Sequence, residues 1–171
     1  MWFGLVTGYM PIDDLPADVT PDERIILVNS HELVLGSLSL RPYIKGQVDR
    51  PLEPMMLGSM MAELELTRID AHTLEMAAAD GWHRLPVERL VRSHERPFEL
   101  GQVITMKGYT VRVEELTDAG HPRRVRFTFE RPLDAPEHRW LTYADFAFHG
   151  GSPPPVGQRV SIPSVQQAAL N

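Results

Sequence analysis

The chain has 171 residues, of which 43% are hydrophobic and 23% charged, values typical of a folded soluble protein that can bury a core without disulfide or metal staples. It contains no cysteine, which excludes disulfides, thiol nucleophiles and zinc–thiolate sites. The formal net charge of −6 gives no global attraction to nucleic acid or to an anionic membrane.

The N-terminal residues 1–24 are predicted to be an apolar segment followed by an acidic connector. Trp2–Met10 is apolar, but it has no basic flank and is too short to span a membrane. Residues 11–23 are acidic and interrupted by prolines, and their spacing does not match a calcium-binding loop. We expect one β-rich domain at residues 25–163 and a short tail at residues 164–171.

A strand followed by a helix opens the predicted domain. Ile25–Val28 is a compact apolar run, which indicates a buried strand. Asn29 has a glutamate three residues later and therefore resembles the start of a capping box. Leu33–Leu40 is the predicted helix, ending just before Pro42 because the residue before a proline disfavours the helical conformation.

The next stretch is predicted to form a hairpin. Met55–Arg68 is expected to be extended, and Thr73–Ala78 returns after a turn at Asp70, Ala71 and His72. Pro86–Arg92 carries apolar residues at helical spacing, which predicts a short helix.

A three-stranded meander is predicted at Gln102–Lys107, Tyr109–Leu116 and Arg123–Glu130, because apolar and polar residues alternate there with a period of two. Phe127 is expected in the core, whereas Arg126 is expected on the opposite face. Since stacking platforms for nucleic acid need the aromatic and the cation on the same side, the arginines are interpreted as a solvated sheet face.

The C-terminal part continues as strands. Arg139–Ala144 is a predicted strand, Phe146–Phe148 its continuation or partner, and Gln158–Ile162 the last strand after a glycine- and proline-rich connector. The predicted fold class is α+β, mainly β: an N-terminal strand–helix unit followed by antiparallel hairpins that form a small barrel or a strongly twisted sheet.

Four stretches carry a family resemblance: IILVNSHEL at residues 25–33, ELTRIDAHTLEM at residues 65–76, the meander at residues 97–134, and PPPVGQRVSIP at residues 153–163. With them the chain resembles the soluble C-terminal domain of uncharacterised multi-pass bacterial membrane proteins. The resemblance implies a β-rich extramembrane domain attached after transmembrane helices, and it implies no catalytic residues. It places the chain at a membrane if the chain is a C-terminal fragment, with Trp2–Met10 as a remnant of the last helix, and in the cytoplasm if it is a free-standing relative.

The candidate catalytic residues are Ser30 and His31, between the predicted strand and helix, where backbone N–H groups and the helix dipole favour anions. They lack the flanking glycines of a nucleophile elbow, so a capped helix start is the favoured interpretation. None of the seven histidines forms a zinc motif, and we expect no metal and no cofactor. A metal site would have to be assembled across the fold from His83, His94 and a carboxylate.

The functional prediction is a non-catalytic accessory or interaction domain, an extramembrane module of a bacterial membrane protein. Its expected partner is a membrane segment of its own or a partner protein, with no role for nucleic acid; oligomeric state and ligand identity are not predicted. The alternatives are a hydrolase or transferase using Ser30 and a nearby histidine, or a small-ligand-binding barrel. The barrel cavity would be lined by Met55, Met56, Met60 and Met61 together with the aromatic residues of the barrel.

Overall fold

The computed structural model describes residues 16, 18–30, 35–82, 97–145 and 147–164. This part of the chain is mainly β, with one short helix and two sheets, which confirms the predicted α+β, mainly β class. The segments Trp2–Met10 and Pro86–Arg92 lie outside the described residues. The elements are β1 Arg24–Ser30, α1 Leu35–Ile44, β2 Met55–Ser59, β3 Leu64–Arg68, β4 Thr73–Ala78, β5 Val103–Met106, β6 Tyr109–Leu116, β7 Pro122–Phe129, β8 His138–Ala144, β9 Ala147–Gly151 and β10 Arg159–Ile162.

The chain divides into two compact units. Among the described residues, unit 1 contains the chain up to Met60 together with Pro136–Ser152. Unit 2 contains Met61–Ala135 and the residues from Pro153 onward. The boundaries expected from the sequence, at residues 24 and 163, stay a prediction.

Unit 1 is built on a sheet of four described strands in the order β2-β1-β8-β9. β1 runs parallel to both β2 and β8, and β9 pairs antiparallel with β8. The apolar run Ile25–Val28 is buried throughout, as expected of a strand covered on both faces in a parallel arrangement. The sequence analysis predicted only antiparallel hairpins, so the parallel pairing is a correction. β9 is the antiparallel partner of β8, one of the two predicted possibilities.

Helix α1 continues past the point where we expected it to end. Pro42 lies inside the helix, which runs to Ile44, so the predicted end before Pro42 was wrong. The N–H of Gly46 donates to the carbonyl of Tyr43 at 3.0 Å, and the N–H of Gln47 donates to the carbonyl of Pro42 at 2.9 Å. With Gly46 at φ +68°, this is a Schellman cap. Because it satisfies carbonyls of the last turn, the cap holds that turn helical although the proline lacks an N–H.

The helix covers one face of the unit 1 sheet. Leu38, on the buried side of α1, is 3% exposed. The loop after the helix is tied back to it, since the N–H of Leu52 donates to the carbonyl of Ser39 at 3.1 Å. The buried cluster so formed consists of Val19, Ile25, Leu27, Leu38, Leu52 and Leu141.

Unit 2 is built on a sheet of six described strands, all antiparallel, in the order β10-β3-β4-β7-β6-β5. The consecutive neighbours β5, β6 and β7 confirm the meander, and β3 with β4 confirms the hairpin. The single extended segment predicted at Met55–Arg68 was wrong. A turn at Met60 and Met61 divides it into β2, which joins the unit 1 sheet, and β3, which joins this one. Among the described strands, both sheets have open ends.

The two faces of the unit 2 sheet have opposite character, as the alternation predicted. Phe127 is 4% exposed and lies between Leu74 on β4 and Val111 on β6. Its ring centroid is 6.2 Å from that of Tyr109. On the other face, Arg126 is opposite Glu75 and points to solvent. The predicted register of the meander is therefore confirmed.

Candidate functional site

The predicted catalytic residue Ser30 lies at the carboxyl end of the parallel strands of unit 1. It is the last residue of β1 and pairs with Ser59, the last residue of β2. Ser30 is 1% exposed and Ser59 is 2% exposed. In sheets with parallel strands, ligands commonly bind at the carboxyl ends of the strands, so the buried polar residues here form a candidate site.

The side chain of Asn29, next to Ser30, links strand β1 to strand β8 by two hydrogen bonds. It is 1% exposed. Its Nδ2 donates to the carbonyl of Tyr143 at 3.0 Å, and its Oδ1 accepts from the N–H of Tyr143 at 2.8 Å. The side-chain amide thus presents to β8 the same donor and acceptor as a peptide group, and it extends the pairing of β1 with β8 beyond Leu27. Asn29 is a structural residue of this edge.

The geometry gives Ser30 little access to a substrate. A serine nucleophile must reach the reacting carbon, and a side chain that is 1% exposed does not do so unless the strand end opens. The carbonyl of Ser30 accepts a hydrogen bond from the N–H of Met60 at 3.0 Å, which helps to close this strand end. His31 lies outside the described residues. A catalytic role for the pair stays a prediction.

Two of the described histidines, His72 and His149, lie at hydrogen-bond distance from main-chain carbonyls. His72 Nδ1 is 3.1 Å from the carbonyl oxygen of Phe129, and His149 Nε2 is 3.0 Å from that of Ala144. Each distance joins neighbouring strands: His72 precedes β4 and Phe129 ends β7, whereas His149 lies within β9 and Ala144 ends β8. Within the described ranges, no group of three or more histidine or carboxylate side chains could hold a metal ion. His83 and His94 lie outside those ranges.

The outer face of the unit 2 sheet is a network of paired charges. Arg126 lies 3.3 Å from both Glu75 and Glu114. Arg124 lies 3.5 Å from both Glu75 and Glu115. Because the carboxylates of β4 and β6 face the arginines of β7, the basic residues of the meander are neutralised within the sheet. This arrangement agrees with the interpretation of the arginines as a solvated face.

A buried arginine, which the sequence analysis did not single out, ties a loop of unit 2 to the sheet. The side chain of Arg68 is 9% exposed, and its Nη2 lies 3.2 Å from Asp134 Oδ2. Its Nε donates to the carbonyl of Asp70 at 3.0 Å. The Asp70 carboxylate in turn accepts from the N–H of His72 at 2.8 Å, and this hydrogen bond lowers the pKa of Asp70. Arg68 therefore holds the loop that contains Asp134 and the turn at Asp70 against the end of β3.

An exposed apolar patch lies on α1. Leu40, Tyr43 and Ile44 are 48%, 47% and 78% exposed, and they are spaced i, i+3 and i+4, so they share one face of the helix. We call these three residues the α1 patch. Leu38 is buried on the opposite side, so α1 is apolar on two faces, of which the unit 1 core covers one. The sequence did not predict this patch, because the helix was expected to end before Pro42.

A second exposed apolar surface follows the outermost described strand of unit 2. Leu100, Val103 and Met106 are 70%, 58% and 49% exposed. They belong to the stretch Glu99–Lys107, which we call the β5 edge. Its main chain pairs with β6 on one side, and β5 ends the order of the described strands on the other.

Comparison with protein-family models, curated proteins and solved structures finds no match to this chain. No helix among the described residues is long and apolar enough to cross a bilayer.

Proposed function

We propose that this protein is a non-catalytic, β-rich interaction domain, an extramembrane module of a bacterial membrane protein assembly. It docks through the α1 patch onto a membrane-embedded partner chain. The observation that carries the proposal is the apolar character of the exposed face of α1, formed by Leu40, Tyr43 and Ile44.

The patch has the pattern of a helix that binds in a groove. Recognition of an amphipathic helix uses apolar anchors at i, i+3 and i+4, which is the spacing of these three residues. Large exposed apolar patches mark interaction sites, whereas apolar residues scattered singly over a surface are ordinary. A tyrosine such as Tyr43 adds a large apolar ring with a polar tip, a combination favoured at interfaces.

Charge favours a protein partner over a lipid surface. Residues 35–50, which contain α1 and the loop after it, have three basic side chains and one acidic side chain. Binding to anionic headgroups uses clusters of about four to eight lysines and arginines, more than this stretch contains. A membrane-embedded chain with an apolar groove has no such requirement. The family resemblance at residues 25–33, 65–76 and 97–134 supports the same context.

The test is sedimentation of the purified protein with bacterial membrane vesicles. We expect co-sedimentation with untreated vesicles and its loss after protease shaving of the vesicles or with protein-free lipid vesicles. The double variant Leu40→Ser/Ile44→Ser should lose co-sedimentation while its circular dichroism stays unchanged.

The matched control is Val156→Ser/Val160→Ser, which changes two residues that are 57% and 43% exposed in unit 2. This control should sediment like the unaltered protein. Equal sedimentation of the α1 double variant, or no sedimentation of the unaltered protein, overturns the proposal. Retention on shaved or protein-free vesicles would indicate a lipid target instead.

A ligand-binding barrel, one of the alternatives expected from the sequence, requires a closed sheet. Such a barrel would join the open ends of a strand order, for example β10 and β5 of unit 2. Of the methionines expected to line a cavity, Met60 is 7% exposed and Met55 is half-buried. Gap filling is the commoner role of such methionines.

A further inference from the structure

Strand β9, which ends the order of the described strands of unit 1, lacks the features that protect a sheet edge. Natural sheets blunt open edges with charges, prolines, bulges or very short strands, because an exposed edge recruits another strand. Ala147–Gly151 contains no lysine, arginine, acidic residue or proline, and its pairing with β8 shows no register shift. Its five residues are an ordinary strand length. This edge is therefore suited to strand addition.

The direction of the main-chain groups of β9 follows from the hydrogen bonds of Asn29. The Asn29 side chain binds both the N–H and the C=O of Tyr143, so the main chain of Tyr143 faces β1 and not β9. Phe148 is the partner of Tyr143 in the register of β8 with β9. Because residues of an antiparallel pair alternate between facing the partner and facing away, the N–H and C=O groups of Phe148 and Gly150 point away from the sheet.

Gly150 is exposed, and nothing within the described part of unit 1 requires a glycine there. Its φ is not positive, and no atom lies within 4 Å of the position that a Cβ would occupy. A glycine inside a strand costs about 0.5–1 kcal/mol relative to alanine. Where neither a bulge nor a tight bend explains it, such a glycine marks a place where another main chain approaches closely.

We propose that β9 pairs antiparallel with β9 of a second copy of this chain, about a two-fold axis between the His149 residues of the two copies. In this register Phe148 of each copy lies opposite Gly150 of the other. Each of these two pairs exchanges both of its outward hydrogen bonds, so both outward residues of each strand are used. A register shifted by two residues keeps only one such pair within β9.

The side chains of the two outward residues select a second copy as the occupant. Phe148 and Gly150 are two residues apart and therefore lie on the same face of the sheet. The Phe148 ring of each copy covers the space left by Gly150 of the other, and an aromatic residue opposite an edge glycine is a favourable cross-strand pair. One strand thus supplies both halves of the contact, as a two-fold interface requires. Since β9 carries no lysine, arginine or carboxylate, no like charges meet across the axis.

The length of β9 sets the strength of the association. Pairing of one five-residue strand buries less area than a stable dimer needs. The dimer is therefore reversible and depends on concentration. It uses β9, whereas membrane docking uses the α1 patch, so each can fail while the other holds.

The first test is disulfide cross-linking, which the absence of cysteine from the chain makes specific. His149 lies opposite itself in a non-hydrogen-bonded pair, where the Cα atoms are about 4.5 Å apart and a disulfide can form. His149→Cys should therefore form a covalent dimer under mild oxidation about tenfold faster than the exposed control Asp118→Cys, because pairing raises the effective concentration of the two thiols. Ala147→Cys and Gly151→Cys should each cross-link slowly alone and rapidly when mixed, since the register places these two positions opposite each other.

The second test is sedimentation velocity of the full chain over a concentration series. The unaltered protein should shift from monomer toward dimer as the concentration rises. Gly150→Pro should stay monomeric, because it removes an outward N–H that has no partner in β8, and proline is tolerated at a strand edge. His149→Lys alone and His149→Glu alone should each weaken dimerisation by roughly two- to fivefold, since like charges then meet at the axis. An equimolar mixture of these two variants should regain the dimer.

The charge variants and the cross-linking keep the proposal testable even if the proline variant fails to fold. Monomer at every concentration, equal cross-linking rates for His149→Cys and Asp118→Cys, or no recovery in the mixture overturns the proposal. Normal dimerisation of a folded Gly150→Pro variant would mean that another surface forms the dimer, and it overturns the proposal as well.

Discussion

Replacing Phe127 by alanine tests whether the meander is the stabilising centre of unit 2. Phe127 is 4% exposed, and its ring lies 6.2 Å from the ring of Tyr109 between the side chains of two neighbouring strands. Truncating a buried phenylalanine costs about 3–5 kcal/mol through lost transfer energy and the cavity left behind. A domain of this size has only about 5–15 kcal/mol of stability, so the loss is a large fraction of it. For a chain of this length we expect the thermal midpoint to fall by about 10 °C.

The matched substitution is Arg126→Ala, one residue away on the opposite face. Arg126 lies 3.3 Å from Glu75 and from Glu114, but its side chain is 40% exposed. Exposed ion pairs contribute between about zero and 1 kcal/mol, so this variant should lose no more than about 1 kcal/mol. Urea denaturation followed by circular dichroism gives both values. Equal losses in the two variants would refute the assigned register and with it the inward-facing set of the meander.

Three further predictions test other parts of the fold by urea denaturation. Asn29→Ala should cost about 2–4 kcal/mol, because the main-chain N–H and C=O of Tyr143 lose buried partners; a loss below about 0.5 kcal/mol, the size of an ordinary surface substitution, would contradict this role of the two hydrogen bonds. Gly81→Ala should cost more than Gly120→Ala. Both glycines have positive φ, but a Cβ at Gly81 would lie 3.0 Å from two neighbouring atoms whereas Gly120 has open space. Asp70→Asn should flatten the acid side of the stability profile: the folded-state pKa of Asp70 is lowered, so its contribution is present above the unfolded-state pKa and lost as pH falls through the folded-state value. An unchanged acid profile would show that the hydrogen bond from the His72 N–H does not persist in solution.

Strands in which apolar and polar residues alternate clearly could be predicted from the sequence. The strand at Tyr109–Leu116 and the hairpin of β3 and β4 follow from side chains that alternate with a period of two, and the structure places them as expected. The burial of Ile25–Val28 was also predicted, because a continuous apolar run needs cover on both faces.

Pairings between distant residues could not be predicted in this way. β1 lies beside β8, and the Asn29 side chain bonds to a residue 114 positions away, which leaves no trace in local composition. The end of α1 was mispredicted because Pro42 was weighed alone. The glycine at position 46, with φ +68°, caps the helix and outweighs the proline.

At the candidate site, the sequence identified Ser30 as a polar residue at the end of a strand, but it could not show whether a substrate can reach the side chain. Ser30 is 1% exposed, and its burial depends on β2 and on the turn after β2, which belong to a separate stretch of the chain. The α1 patch was not predicted, because the expected helix ended before Pro42 and therefore did not include Tyr43 and Ile44.

The order in which strands are synthesised has a consequence for unit 1. Its central strand β1 leaves the ribosome early, whereas its neighbour β8 begins only at His138. All of the strands from β3 to β7 are made in between, and they already pair with one another. During this interval Ile25–Val28 has apolar side chains on both faces and lacks one of its two neighbours. Nascent chains of this protein are therefore expected to need protection from chaperones until the region around Trp140 has emerged.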